Sequence, residues 1–289
     1  MKVLLTGGSG LAGMAITNDL TAHGHTVLRV DRIAPSDAPH TRGQVGASTF
    51  KFVDTTDLGQ VISAMNGCDA VVHMAAIPNP RMAPESEVFR VNMLSNWAVL
   101  EAAEIHGVQK IVMASSVNAV GAVFSKKVTP RAYFPIDENQ PTLAEDAYSQ
   151  SKWLGEEMAH AFVRRNPGKL QIASMRFHGL LTKARQQEMR IRAHAGAPDE
   201  NAAKHFWGWV DLDEAAAACR LAIETHWQGH EAFFINAPDT SSMVPTMRLI
   251  RESYPDSEIQ GEIKGFASAI SIEKARRLLT WEPTVTWRN

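Results

Sequence analysis

The sequence predicts an α/β protein built on a parallel sheet, because apolar runs of strand length alternate along the chain with segments of helical periodicity. A glycine-rich turn separates the first apolar run from the first helical segment, which is where open α/β sheets bind ligands. The length of 289 residues, with 45% hydrophobic and 21% charged residues, is that of a globular protein with a substantial core.

Six strands and four helices are predicted in the first 176 residues, in the order β-α-β-β-α-β-α-β-α-β. The strands are predicted at residues 2–6, 26–31, 49–53, 69–74, 110–115 and 170–175. The helices are predicted near residues 11–23, 56–66, 86–106 and 147–165. This order indicates successive βαβ units, and the chain shows neither an internal repeat nor a low-complexity tract.

Charge and cysteine usage favour a small-molecule ligand and a cytoplasmic location. A formal net charge of -2 provides no basic surface for nucleic acid or for an anionic membrane. Cys68 and Cys219 lie far apart in apolar stretches, which indicates reduced core cysteines rather than a disulfide. The apolar run Met1–Thr6 is too short for a signal peptide. No catalytic metal is expected, because the eleven histidines show no paired ligand spacing.

The first chemical motif is the glycine-rich turn Thr6–Gly13 between the first strand and the first helix. Gly7, Gly10 and Gly13 let the backbone turn tightly and approach a pyrophosphate. The helix begins near Leu11, and its free amides and positive dipole end would meet the negative charge. An ordinary strand-to-helix turn is the alternative interpretation. The position of the motif favours a Rossmann-type doubly wound parallel sheet that binds a dinucleotide.

Acidic residues after the second and third strands support a bound adenosine. Asp31 ends the second strand 18 residues after Gly13, about where a carboxylate accepts from the ribose hydroxyls. A carboxylate there repels a 2′-phosphate, so NAD is expected, with NADP as the alternative because neighbouring Arg32 can offset the repulsion. The other interpretation of Asp31 is a loop cap. Asp54, followed by Thr55, is placed to accept from the adenine amino group.

The periodicity becomes irregular beyond residue 176. A polar stretch at residues 182–204 carries Arg185, Arg190 and Arg192, and short strand and helix patterns follow it. We therefore predict a dinucleotide-binding Rossmann domain at residues 1–176. A small carboxyl-terminal substrate lobe is predicted at residues 177–289, partly interleaved with the Rossmann core.

A second motif places Tyr148 and Lys152 in the first turns of the fourth predicted helix. Spacing of i and i+4 puts the phenol and the ammonium on one face. A free tyrosine has a pKa of about 10, so it needs a nearby positive charge to act near neutrality. Ser115 and Ser116 follow the fifth strand, where a hydroxyl can polarise a substrate carbonyl or, in the alternative interpretation, cap a turn.

Together these segments resemble the extended short-chain dehydrogenase/reductase family, also described as NAD-dependent epimerases and dehydratases, over essentially the whole chain. The family's motifs match Gly7, Gly10 and Gly13, Asp54, His73–Ala76, Asn92, Ser115–Gly121, Tyr148 and Lys152, Trp209–Glu214, and Lys274–Pro283. The resemblance implies three catalytic residues, Ser116, Tyr148 and Lys152. It implies a cofactor site formed by Gly7, Gly10, Leu11, Gly13, Asp31, Arg32, Asp54, Thr55, Ala75, Asn92, Tyr148 and Lys152.

The resemblance also implies a mechanism. Tyr148 exchanges a proton with a substrate hydroxyl while hydride passes to or from the nicotinamide. Lys152 holds the ribose and lowers the pKa of Tyr148, and Ser116 orients the substrate oxygen. For Asn92, a contact that supports the site and a buried structural amide are equally good interpretations.

At two positions the sequence differs from the family pattern, and both differences bear on which substrate is expected. Nucleotide-sugar members continue from the sixth strand into an Arg-x-x-Asn segment ending in Gly-Pro, whereas Arg176–Leu180 lacks the asparagine and the proline. Dehydratases carry an Asp-Glu pair where Val117 and Asn118 stand here. The short second lobe is similar to that of uronate dehydrogenases. We therefore expect an oxidoreductase acting on a sugar, a sugar acid or a related small molecule. A nucleotide-sugar epimerase with bound NAD and a non-catalytic dinucleotide sensor are the alternatives.

The resemblance further implies a homodimer, since extended members commonly pair through the two helices predicted at 86–106 and 147–165. Both helices carry apolar side chains beyond one stripe, including Trp97 and Trp153.

Overall fold

The computed structural model describes residues 1–35, 48–195 and 201–288. Its strands are β1 (Lys2–Thr6), β2 (Thr26–Asp31), β3 (Ser48–Phe52), β4 (Ala70–His73), β5 (Lys110–Ser116), β6 (Tyr133–Phe134), β7 (Gln171–Phe177), β8 (Leu180–Leu181), β9 (Val210–Asp211), β10 (Gly229–Ile235) and β11 (Glu258–Ile259). Its helices are α1 (Leu11–Ala22), α2 (Leu58–Met65), α3 (Glu85–His106), α4 (Ala147–Arg165), α5 (Lys183–His194), α6 (Leu212–Glu224), α7 (Thr246–Ser253) and α8 (Glu273–Leu279).

Within those residues, seven strands form one parallel sheet in the order β10-β7-β5-β4-β1-β2-β3. Helices cover both faces, so the central strands are almost entirely buried instead of alternating between buried and exposed residues. Every residue of β4 and of β7 is buried. The chain moves outward from β1 to β3 in one direction and from β4 to β10 in the other. The point between β1 and β4 is therefore the topological switch point, outside which such sheets bind ligands.

Two hydrophobic cores lie on the two faces of the sheet. Val3 and Leu5 of β1 pack in a cluster with residues of α1, α6 and α8. Leu4, between them, points to the other face and packs with residues of α2, α3 and α4. Successive residues of a strand point to opposite faces, so β1 anchors both cores.

A third cluster lies away from the sheet and forms a small lobe. Phe134 of β6 packs against Phe206 and Tyr254, with Ile270 in the same cluster. This lobe adjoins the carboxyl edge of the sheet through the 3-10 turn Val117–Val120, which directly follows β5.

In the part of the chain that the structure describes, no helix is long and apolar enough to cross a membrane.

The Rossmann-type doubly wound sheet that the sequence predicts is confirmed, and the six predicted strands lie within two residues of their expected bounds. Helix α2 begins later than predicted because the side chain of Asp57 accepts a hydrogen bond from the amide of Gln60 and caps the helix. The sequence did not single out β10, which extends the sheet beside β7. Residues on both sides of position 176 thus share one sheet, and the division of the chain there remains a prediction.

Candidate active site

A cavity of about 1210 Å³ lies along the carboxyl edge of the sheet. It is lined by residues that directly follow or end β1, β2, β3, β4, β5 and β7. One end contains the glycine-rich turn and Asp31. The other end is formed by one face of α5 and by residues 241–244. An elongated cleft of this kind suits a dinucleotide together with a small substrate.

The glycine-rich turn is built for a close approach by a ligand. Gly7 has φ of +66°, and a Cβ placed at Gly13 would lie 2.2 Å from the carbonyl oxygen of Gly7. A Cβ at Gly10 would meet only that oxygen, at 3.4 Å. Gly13 is therefore required by the protein's own packing, whereas the space in front of Gly10 belongs to the cavity. No side chain caps the amino end of α1, so its amides are available to a phosphate. These residues fit the pyrophosphate of NAD.

Two carboxylates lie at the adenosine end. Asp31 accepts hydrogen bonds from the amides of Ser9 at 3.1 Å and Arg32 at 2.7 Å, which fix it at the end of β2. Asp54 accepts from the amide and hydroxyl of Thr56, at 2.9 and 2.8 Å, and that amide bond is the largest cause of its lowered pKa. The guanidinium of Arg32 lies 3.8 Å from Asp54. Arg90 also acts on Asp54 but pairs with Glu87 at 2.8 Å, so three carboxylates face two guanidinium groups, which disfavours the 2′-phosphate of NADP.

Behind the cavity, a buried network joins β1 to the loop after β4. The hydroxyl of Thr6 accepts from the amides of Met74 and Ala75, each at 3.1 Å, and lies 2.7 Å from Nδ1 of His73. Burial lowers the pKa of His73 to about 3, so the ring is neutral. This network holds Ala75 at the cavity wall.

Asn92 does not line the cavity. Its side-chain oxygen accepts from the amide of Ile77 at 2.8 Å, and its nitrogen donates to the carbonyl of Ile77 and to the hydroxyl of Ser151. The residue is 1% exposed and ties the loop after β4 to helix α4. The other residues predicted for the site all line the cavity: Gly7, Gly10, Leu11, Gly13, Asp31, Arg32, Asp54, Thr55, Ala75, Ser116, Tyr148 and Lys152.

The phenol of Tyr148 lies beside Ser116 at the end of β5. The side chain is 7% exposed, and burial raises its pKa to about 12, opposed by a hydrogen bond from Ser116. The hydroxyl of Ser116 already accepts from the amide and side chain of Asn118, at 3.2 and 3.1 Å. Its own proton is therefore free to be donated toward the phenol oxygen or a substrate oxygen.

Lys152 supplies the positive charge. Its ammonium donates to the carbonyl of Ala114 at 2.7 Å and lies 5.6 Å from the centre of the Tyr148 ring. Burial lowers the pKa of Lys152 to about 8, and the charge of Glu156 opposes this shift. The ammonium consequently stays protonated near neutral pH, so a positive charge lies beside the ring of Tyr148.

Ser115 has a different role from Ser116. Its hydroxyl donates to Glu156 at 2.5 Å, and Glu156 forms a buried ion pair with Arg176 at 2.8 Å. Because alternate strand residues point to opposite faces, only one of the two serines can face the phenol. The structure brings Ser116 to Tyr148.

The part of the cavity near α5 contains further side chains to which the sequence motifs assign no role. His178 directly follows β7, and burial lowers its pKa to about 3, so its ring is neutral. Phe124 packs edge-on against Tyr148 at 5.7 Å. Trp207 also lines the cavity. In the sequence, this region is marked by the departure from the family pattern at Arg176–Leu180, by the segment Trp209–Glu214 and by the arginine-rich stretch that becomes α5. Among the described residues, no group of three or more histidines, cysteines or acidic residues could hold a metal.

Comparisons with known proteins agree with this geometry. The sequence model of the NAD dependent epimerase/dehydratase family matches residues 3–235. The chain is 25% identical over 236 residues to a uronate dehydrogenase of Pseudomonas syringae, covering 81% of this chain and 73% of that protein. It is 25% identical to a UDP-glucose 4-epimerase of Corynebacterium glutamicum, covering 99% of this chain and 92% of the epimerase.

A solved structure shares the fold at low sequence identity. This is MoeE5 in complex with UDP-glucose and NAD, which superposes with a TM-score of 0.71 at 19% identity, over 100% of this chain and 95% of that one.

The two glycines should respond differently to substitution by alanine. We expect Gly13→Ala to destabilise the fold by about 1–3 kcal/mol, because its Cβ would overlap backbone atoms of the turn. Gly10→Ala should unfold at nearly the parent temperature but bind NAD at least about tenfold more weakly, a loss of about 1.4 kcal/mol. Thermal unfolding and calorimetric titration with NAD measure the two effects. Parent-like NAD affinity in Gly10→Ala would contradict the placement of the pyrophosphate.

Proposed function

This chain belongs to the NAD-dependent epimerase/dehydratase family, and we propose that it is a dehydrogenase that oxidises a hydroxyl group of a sugar or sugar acid with NAD. The observation that carries the proposal is the convergence of Tyr148, Lys152 and Ser116 on the cavity that also holds the glycine-rich turn. One end of the cavity fits the dinucleotide. The other end leaves room for a small polar substrate.

In this proposal each catalytic side chain has one task. Tyr148, as phenolate, takes the proton of the substrate hydroxyl as the carbonyl forms. The Lys152 ammonium stabilises that phenolate and helps to hold the nicotinamide ribose. Ser116 donates to the substrate oxygen and orients it. NAD, when bound, supplies the acceptor for the hydride that leaves the substrate carbon. The products are the carbonyl compound, the reduced cofactor and one proton.

Positive charge at the substrate end favours a sugar acid. One face of helix α5 lines the cavity, and Arg185, Met189 and Arg192 lie on it, about one helical turn apart. Arg185 forms an ion pair with Glu188 at 2.9 Å, whereas the ion pairs formed by the described residues do not include Arg192. A guanidinium is well suited to bind a carboxylate. The similarity to a uronate dehydrogenase supports the same substrate class.

A nucleotide-sugar epimerase is the second candidate. The similarity to a UDP-glucose 4-epimerase spans nearly the whole chain, and the same catalytic residues serve either reaction. Against it stands the segment Arg176–Leu180, which lacks the asparagine and the proline of the family's usual pattern for nucleotide sugars. An epimerase returns the hydride to its substrate and releases no reduced cofactor, so net formation of NADH separates the two functions. A non-catalytic sensor is disfavoured because Tyr148 and Lys152 are both present.

Cys68 and Cys219 are buried free thiols, as expected for a protein in a reducing compartment, and we propose that the protein is located in the cytoplasm.

We also propose that the protein forms a homodimer through α3. On this helix the side chains of Leu94 and Trp97 are 42% and 40% exposed, and Ile105 lies on the same exposed apolar stripe. A second copy of the chain would cover this face.

The substrate proposal predicts the outcome of a panel of uronic acids, neutral sugars and simple alcohols tested with NAD and NADP. Absorbance should show reduction of NAD with a uronic acid and weaker activity with NADP. Arg192→Gln should raise KM for the uronic acid by about tenfold or more, because a hydrogen bond to a charged group contributes about 1.5–3 kcal/mol. Arg190→Gln on the same helix is the matched control. Equal loss toward neutral sugars in Arg192→Gln would argue against carboxylate recognition.

The catalytic pair predicts two different defects. Tyr148→Phe keeps the ring but removes the titrating oxygen, so turnover should fall by about 10²–10⁴-fold while NAD affinity changes little. Lys152→Met should reduce both turnover and NAD affinity, since the ammonium serves both. Steady-state kinetics and NAD titration distinguish the variants. Turnover in Tyr148→Phe within a few-fold of the parent would falsify this assignment.

The proposed dimer predicts twice the chain mass in light scattering at micromolar concentration. Trp97→Glu should shift the protein to the monomer mass, because a charge in a buried apolar interface is unfavourable. Val128→Glu changes an exposed apolar residue outside α3 and should leave the mass unchanged. A monomeric parent protein would rule out the dimer.

A further inference from the structure

A buried ion pair lies directly beneath the proposed catalytic residues. Glu156 and Arg176 are 5% and 7% exposed. The guanidinium donates from Nε to Oε1 at 3.0 Å and from Nη2 to Oε2 at 2.8 Å, a two-pronged geometry that fixes both side chains. Arg176 also donates to the carbonyl of Glu138 at 3.3 Å and packs over the ring of Phe234 at 5.2 Å. The mechanism described above does not use this pair.

The pair connects the three elements that meet at the site. Glu156 belongs to α4, Arg176 to β7, and the hydroxyl of Ser115, at the end of β5, donates to Glu156 at 2.5 Å. The next residue of β5 is Ser116, beside the phenol. Glu156 therefore fixes the end of β5 relative to the helix that carries Tyr148.

Glu156 also follows Lys152 by four residues, so the two side chains lie on one face of α4. Burial lowers the pKa of Lys152 to about 8, and the negative charge of Glu156 opposes the effect. Removing that charge would let the ammonium lose its proton at a lower pH. The charge of Arg176 acts in the opposite direction, because it offsets the charge of Glu156.

Other ionisable groups surround the pair on its far side, around a cavity of about 270 Å³. Lys274 and Glu231 pair with each other at 3.0 Å, and Glu138 accepts from the amide of Phe234. His230 contacts His160 at 3.1 Å, and burial lowers the pKa of His230 to about 3.

Glu157 is exposed. Burial acts to lower the pKa of Arg176, but the charge and hydrogen bonds of Glu156, followed by the charges of Glu138 and Asp137, raise it overall. These groups do not shift the pKa of Lys152, which is set by burial and by the charge of Glu156. His73 of β4 and Tyr148 of α4 also lie near the ammonium, but both are uncharged near neutral pH, because burial lowers the pKa of His73 to about 3 and raises that of Tyr148 to about 12.

We propose that Glu156 and Arg176 are positioning residues of the active centre, which fix Ser115 and the end of β5 and set the charge that Lys152 experiences. The inference rests on the proposed role of Lys152 as the group that stabilises the phenolate. The ion pair acts through Lys152 and Ser115 and does not touch the substrate.

The test is a pH titration of Lys152 in the full chain labelled with ¹³C at the lysine ε-carbon, with its signal identified by loss in Lys152→Met. In Glu156→Gln the midpoint should fall by about one pH unit, and in Arg176→Gln it should rise. The alkaline limb of the pH–turnover profile should move in the same two directions. Glu157→Gln, which removes the neighbouring exposed charge, should leave both unchanged.

Opposite shifts in the two variants distinguish electrostatic control from a structural role, since loss of packing alone would lower stability and turnover in both without moving the midpoint. Glu156→Asp keeps the charge but shortens the reach to Ser115, so turnover should fall at a parent-like midpoint. If Glu156→Gln does not fold, Arg176→Gln decides: an upward shift supports the proposal and an unchanged midpoint overturns it. The titration does not require turnover, so its result stands apart from any failure of the proposed dehydrogenase activity.

Discussion

Parallel alignment of β1, β4 and β5 is the constraint on which the site depends. Because the carboxyl ends of these strands meet at one edge, residues distant in sequence arrive at one cavity. The Thr6 hydroxyl secures this edge at the switch point through two amides of the loop after β4. These strands therefore position three parts of the cavity lining: the glycine-rich turn after β1, Ala75 after β4, and Ser116 at the end of β5.

Burial shifts the pKa values of the two ionisable groups proposed as catalytic in opposite directions, and both shifts favour the neutral side chain. It raises the pKa of Tyr148 to about 12 and lowers that of Lys152 to about 8. A phenolate in such a site requires polar groups that are already in position. Ser116, with its acceptor positions occupied by Asn118, and Lys152, with Glu156 behind it, provide them. The site thus relies on prearranged dipoles and charges.

The sequence predicts the functional residues best where they lie close together within one turn or one helix. Gly7, Gly10 and Gly13 follow a strand and open a helix, so their function follows from backbone sterics alone. Tyr148 and Lys152 need only helical spacing to share a face. Asn92 could not be assigned from its motif, since its hydrogen bonds to Ile77 and Ser151 are set by tertiary contacts.

The substrate end was largely beyond sequence reasoning, because it combines His178, Trp207 and residues 241–244 from separate irregular segments with no shared period. Strand β10 is not evident from the sequence for a related reason: Gly229, His230 and Glu231 form its first half, and only a short apolar run follows them.

The late position of β10 in the chain has a consequence for biosynthesis. Strand β7 is buried throughout and pairs with β10 over seven residues, from Gly229 to Ile235. Until the ribosome has released that segment, β7 is a sheet edge with unpaired backbone groups, open to pairing with other chains. Closing the sheet therefore waits for a contact of long sequence separation, which slows folding. During the interval between the two strands the nascent polypeptide therefore carries an exposed edge at which aggregation can begin.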